Sequence, residues 1–212
     1  MSVRATTLVD PAARQRLETA IFEAERTTAG EIVLDVVHAC DEYGSVGWRL
    51  AVALAALVLA GLAAFAPPER AWIYLAAQAA ALLVGHGLAR IDTIRRWLLP
   101  EALVEARVAE RARRAFAENG LTRTQGRTGI LLFVALLERR VVVLADEGIH
   151  RLLDPGETWQ EVVDLAVAGL RDGRAVEGLE AALRRCGAIL ARHVPAPDRN
   201  PDELPNRIVL ED

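Results

Sequence analysis

Between Thr128 and Asp146 the chain reads TGILLFVALLERRVVVLAD, two β-branched and aromatic runs that meet at the polar break Glu138-Arg139-Arg140. Apolar residues fill both faces of Ile130 to Leu136 and of Val141 to Leu144. That pattern predicts a β-hairpin inside a sheet covered on both sides. A second β-rich run, Ile32 to Val37, opens at Gly30-Glu31 and is long enough for a central strand. Asp35 interrupts it, and a buried aspartate needs a partner.

Helical periodicity surrounds these runs. Asp10-Pro11 reads as a helix start, with Leu17, Ile21 and Ala24 on one face of a helix reaching Thr27. From Pro100 to Glu118, Val104, Val108, Ala112 and Ala115 form a stripe, and Arg107, Arg111 and Arg114 lie off it on a solvated face. Asn119-Gly120 ends that helix. Pro155-Gly156 marks a turn, and Thr158 to Glu161 fits a capping box. Two helices follow, one striped by Trp159, Val162, Ala166 and Leu170, the other by Val176, Leu179, Leu183, Cys186 and Leu190. The proline-rich, acidic tail from Pro195 is expected to lie over the domain surface.

Two runs depart from this amphipathic character. Trp48 to Ala66 carries one charge, at its edge, and Ala71 to Ala89 carries none with histidine neutral. Each is about long enough to cross a bilayer as a helix, and Pro67-Pro68-Glu69-Arg70 leaves room only for a tight turn between them. Trp48 and Trp97 flank one end and Trp72 the other, as at membrane interfaces. Arg49, Arg90, Arg95 and Arg96 lie on one side against a single Arg in the short loop. The positive-inside rule then places both termini in the cytoplasm, as a multi-pass protein of the inner (plasma) membrane with the lipid bilayer as its first partner. Gln78 and His86 are expected to face the partner helix. The alternative is a pair of Ala-rich core helices, which so small a domain could hardly bury. The division expected is 1–47 and 91–194 for one α/β domain, 48–90 for the hairpin, and 195–212 for the tail.

Composition narrows the function classes. With 25 basic against 29 acidic residues, no basic surface argues for nucleic acid. Cys40 and Cys186 have neither CxxC nor zinc spacing and are expected to be reduced and packed. No GxxxxGK, Cys-x5-Arg or DxDxT/V run is present, so the chain lacks the usual phosphoryl-transfer signatures. Asp146 and Glu147, at the end of the hairpin beside Gly148, and Glu31 and Asp35, on the first strand, could supply oxygen ligands to Ca2+ or Mg2+. Arg123, Thr124, Arg127 and Thr128 could line an anion site in the loop before the hairpin. The bland readings are a strand-start carboxylate paired with arginine, a turn-forming Asp146, and a solvated loop.

The segments AGEIVLDVV at 29 to 37, RTGILLFVALLERRVVVLADEGI at 127 to 149, and the Trp159 helix with its successor through RHVPAPDRNPDELP resemble the TPM domain family. The nearest likeness is to bacterial membrane proteins in which a transmembrane hairpin interrupts the domain after its first strand. The resemblance implies a three-layer α/β/α sandwich with a small mixed sheet. It also implies, for some relatives, a divalent cation in an acidic crevice, with Glu31 and Asp146 as the matching positions here, and a phosphatase activity in one branch. Two expectations of function follow. One is a non-enzymatic interaction or assembly module that binds a protein partner and a cation; the other is a weak metal-dependent phosphatase acting on phosphate esters.

Overall fold

The computed structural model describes residues 4–65, 71–153, 158–197 and 208–212, so Pro155-Gly156 and the 67–70 loop lie outside the described residues. In chain order the elements are α1 (Ala5–Leu8), α2 (Pro11–Glu25), β1 (Glu31–Val37), α3 (Gly44–Phe65), α4 (Ala71–Leu88), α5 (Asp92–Leu98) and α6 (Glu101–Glu118). A 3-10 turn (Leu121–Arg123) precedes β2 (Gly129–Ala135), β3 (Arg140–Ala145), α7 (Glu147–His150), α8 (Gln160–Arg171), α9 (Ala175–His193) and β4 (Ile208–Glu211). Two compact units result: Asp41–Val104, and residues 4–40 together with Glu105–Asp212.

The second unit is an α/β sandwich built on a sheet ordered β3-β2-β1-β4. β1 runs parallel to both β2 and β4, while β3 returns antiparallel to β2, so the sheet is mixed. Residues alternate between its faces. Ile32, Leu34 and Val36 of β1, with Ile130, Leu132 and Val134 of β2, pack into one core with Leu17 and Ile21 of α2, Val162 and Ala166 of α8, and Leu179, Leu183 and Cys186 of α9. Val33, Leu131 and Phe133 turn to the other face and are buried as well, as are Val108, Ala112 and Ala115 of α6 and Leu121 behind it. The stripe that predicted α6 is therefore its buried side.

Local chemistry sets the ends. Asp10 accepts from the Ala13 N–H at 2.7 Å with Pro11 in the first turn, so α2 starts where the sequence places it. Three expectations need correction. The capping box does not form: Trp159 occupies the cap, the Thr158 hydroxyl accepts from Gln160 at 3.3 Å, and Glu161 turns away to pair with Arg185 at 2.7 Å. Only the first run of the hairpin is covered on both faces, because β3 is an edge strand and mostly half-buried. The tail does not simply lie on the surface; its end is β4, which pairs with β1 from Leu34↔Ile208 to Val37↔Glu211. Arg14 donates to the Ile208 carbonyl at 2.8 Å, and Thr6 hydrogen-bonds Asp212, fixing that strand.

In the other unit α3 and α4 pack tightly. A Cβ on Gly85 would stand 2.5 Å from the Ala51 Cα, the Tyr74 hydroxyl donates to the Leu62 carbonyl at 3.1 Å, and the Trp48 and His86 rings meet at 5.3 Å. His86 thus faces the partner helix, as its position in an apolar run requires. A Cβ on Gly61, by contrast, would meet open space.

Helices α8 and α9 touch through their backbones: a Cβ on Gly178 would lie 2.6 Å from the Gly169 Cα. Gly178→Ala must therefore push the two helices apart, and the expected cost is about 1–3 kcal/mol, the usual range for overpacking. Urea unfolding of the variant beside wild type reads it directly, and an unchanged midpoint would contradict this packing.

Candidate functional site

Because β1, β2 and β4 run parallel, the sheet has two distinct edges, and the predicted site residues divide between them. Glu31 pairs in register with Gly129 at the N-terminal edge, and the Asp146 N–H donates to the Gly129 carbonyl at 2.9 Å. Asp146 and Glu31 are therefore on one rung with a strand between them, roughly 10 Å apart by strand spacing. Asp35 lies four residues further along β1, on the order of 13 Å away.

The N-terminal edge is closed by a clasp. Arg127, at φ 53°, donates through Nε and Nη2 to both carboxylate oxygens of Asp146 at 2.8 and 2.9 Å. Asp146 also accepts from the Glu147 N–H at 2.7 Å and caps the short α7. The Gly148 N–H donates to the Arg127 carbonyl at 3.0 Å, so close that a Cβ there would stand 2.3 Å from the Gly126 carbonyl oxygen. The Thr124 hydroxyl accepts from the Thr128 N–H at 3.0 Å, and the Thr128 hydroxyl donates to the Ala29 carbonyl at 2.9 Å, tying the loop to the start of β1. Glu147 pairs with Arg151, and Arg123 is exposed.

These contacts bear on the cation and anion expectations. Both oxygens of Asp146 are engaged by Arg127, and Glu147 is paired with Arg151. Among the described residues no three His, Cys, Asp or Glu side chains come together as ion ligands. Calcium and magnesium want six or more oxygens, some from water, and the four predicted carboxylates do not assemble such a set. The loop of Arg123, Thr124, Arg127 and Thr128 likewise satisfies its hydroxyls and Arg127 internally.

The C-terminal edge is chemically richer. Asp35 is 1% exposed, its Oδ2 reached by the Asn119 Nδ2 at 3.4 Å, and its Oδ1 has no hydrogen-bond partner among the described residues. Arg111 of α6 pairs with Glu211 of β4 at 2.5 Å and with Glu118 at 3.3 Å. The Glu138 carboxylate, in the β2–β3 turn, accepts from the Cys40 N–H at 2.8 Å. Burial, reinforced by the negative charge of Glu211 and opposed by Arg111 and Asn119, raises Asp35 to about 6. Burial and Glu138 push the Cys40 thiol up, and burial takes Cys186 to about 12, so neither is a ready nucleophile. A buried acid that changes charge near pH 6, at the carboxyl edge of parallel strands, is where an α/β sheet positions functional groups. Sequence reasoning named Asp35 but missed Arg111, Asn119 and Glu211. The available signal was Asp35 itself, a carboxylate in an apolar run that had to meet a counter-charge.

The family model described as the TPM domain matches residues 98–189, covering α6, β2, β3, α8 and most of α9. Over those residues the chain is similar to the TPM domain. The NMR structure of the BA42 protein from the psychrophilic bacterium Bizionia argentinensis shares the fold, with a TM-score of 0.59 over 96% of this chain and 95% of that one at 18% identity. No curated protein matches the sequence. The TPM domain match begins after the hairpin, so β1, with Asp35, and β4, with Glu211, complete the sheet from outside the matched residues.

The raised pKa of Asp35 makes folding stability depend on pH. Folded Asp35 keeps its proton to about pH 6, whereas the unfolded residue loses it near 3.8. The native state therefore binds more protons between those values, and stability falls as pH rises through that window. The full effect is about 3 kcal/mol at 1.36 kcal/mol per unit. Asp35→Asn, which mimics the protonated acid, should flatten the decline and be the more stable form at pH 7. Unfolding midpoints of the purified full chain across pH 4 to 7 measure this, and parallel curves for the two proteins would refute it.

Proposed function

We propose that the chain is an integral membrane protein whose α3–α4 hairpin crosses the lipid bilayer and whose TPM domain serves as a cytoplasmic interaction or assembly module for a protein partner. The observation that carries this reading is exposure of the hairpin. Gly44–Phe65 and Ala71–Leu88 are long and apolar enough to span a membrane, with mean hydropathies of 2.1 and 1.4, yet only 6% and 11% of those windows is buried. A core helix of a water-soluble domain would be mostly covered by its neighbours. Leu57, Phe65, Leu75 and Leu83 instead project outward, an apolar surface that water disfavours and lipid accepts.

Orientation follows from charge. Arg49, Arg90, Arg95 and Arg96 flank the open end of the hairpin, which supports the cytoplasmic side for that end. The module reading is supported by the clasp at the N-terminal sheet edge, where Asp146, one of the two positions that the family resemblance singled out, is engaged in holding the loop, and by the raised thiol pKa of both cysteines.

The expected result is that the full chain stays with membranes through an alkaline carbonate wash. Protease should digest the TPM domain in inverted vesicles and spare it in right-side-out ones. A chain that is monodisperse in buffer without detergent would contradict the bilayer reading; protection in inverted vesicles would contradict the orientation alone.

A further inference from the structure

Helix α5 follows the hairpin directly and is amphipathic, and its apolar side is only partly covered by protein. Ile91, Ile94, Trp97 and Leu98 fall on one side of the helix, and Asp92, Thr93, Arg95 and Arg96 on the other. Trp97 is 85% exposed and Ile91 49%, while Ile94 and Leu98 beside them are half-buried. Their position is fixed by the hairpin end. A Cβ on Gly47 would meet the Ala89 Cβ at 3.5 Å, which brings the start of α3 beside the end of α4 and sets Arg49 and Arg90, both exposed, at the same end as α5. Arg95 is held there from the protein side, its guanidinium 5.7 Å from the centre of the Tyr43 ring and donating to the Asp41 carbonyl at 3.4 Å. Trp48, also exposed, meets the His86 ring in a tilted contact at that end.

We infer that α5 lies in the plane of the membrane interface and that this end of the hairpin recognises anionic phospholipid headgroups. The reading rests on the hairpin lying in the bilayer. An indole is best placed at the boundary of headgroup and acyl chain, and an in-plane amphipathic helix buries its apolar side there while its basic side meets lipid phosphates. Arg49 and Arg90, on long flexible stems beside the apolar helices, can reach the headgroup layer. The acidic groups Asp41, Glu42, Asp92 and Glu101 match the four arginines Arg49, Arg90, Arg95 and Arg96 in number, so the attraction for an anionic surface comes from the exposed Arg49 and Arg90 at the hairpin end and not from net charge.

The test uses the full chain reconstituted into vesicles of phosphatidylcholine alone or mixed with phosphatidylglycerol, each with acyl chains brominated close to the headgroup. The Trp97 signal is the difference in emission between wild type and Trp97→Phe. We expect that signal to be quenched in both lipids and more strongly with phosphatidylglycerol. The phosphatidylglycerol excess should be lost when Arg49→Gln and Arg90→Gln are combined, with the chain still resistant to a urea wash. Loss of the wild-type chain in that wash would overturn the bilayer reading itself. Retention with unquenched Trp97 would overturn the placement of α5, and equal quenching in the two lipids would overturn the recognition of anionic headgroups.

Discussion

The pairing of β1 on both of its sides is the constraint on which the α/β unit depends. A buried strand must find a partner for every backbone N–H and C=O, and β1 finds them in β2 on one side and, on the other, in β4 along Leu34–Val37 and in the Glu25 carboxylate, which accepts from the Ile32 N–H at 2.6 Å. Neither partner is close in sequence. The chain leaves the sheet after Val37, forms two long apolar helices, and returns through α6 before β2 can be laid down; β4 comes only at the end of the chain. The domain is thus closed by long-range parallel pairing, while its one local pairing, β2 with β3, sits at the edge.

That arrangement separates the polar groups into two sets of different character. At the N-terminal edge, Arg127, Asp146 and the two threonines spend their hydrogen bonds on holding a loop against the start of β1. At the C-terminal edge, Asp35 is buried against charges drawn from α6 and β4, and it is incompletely satisfied. The first set is a structural fastener. The second carries a charge whose state depends on pH, on a strand held between two others, and it links three elements that are far apart in the chain.

The hairpin follows a different rule. Its two helices pack through small residues, Ala51 against Gly85, and through the Trp48–His86 contact, leaving most of their apolar side chains outward. A pair of helices that buries only its own seam is suited to a solvent as apolar as itself.

Much of this was legible from the sequence because the signals were local. The spacing of Leu17 and Ile21, the continuous run through Ile130 to Val134, the Asp10-Pro11 start and the two long apolar runs each reflect a period or a cap that a short window contains, and so determined the elements and the layered α/β class. The placement of Asp35 in an apolar strand also announced a buried acid. Tertiary structure alone decided which groups meet it. Arg111 lies off the apolar stripe of its helix and reads as solvated; Asn119 reads as a helix terminator; Glu211 belongs to a four-residue strand behind a proline-rich stretch, too short to show a period. Their convergence depends on the order of strands in the sheet, which follows from long-range pairing and not from any local pattern. For the same reason Asp146 looked like a ligand in sequence and is a partner for Arg127 in the fold: the loop that carries the arginine is brought to it only when β2 is paired.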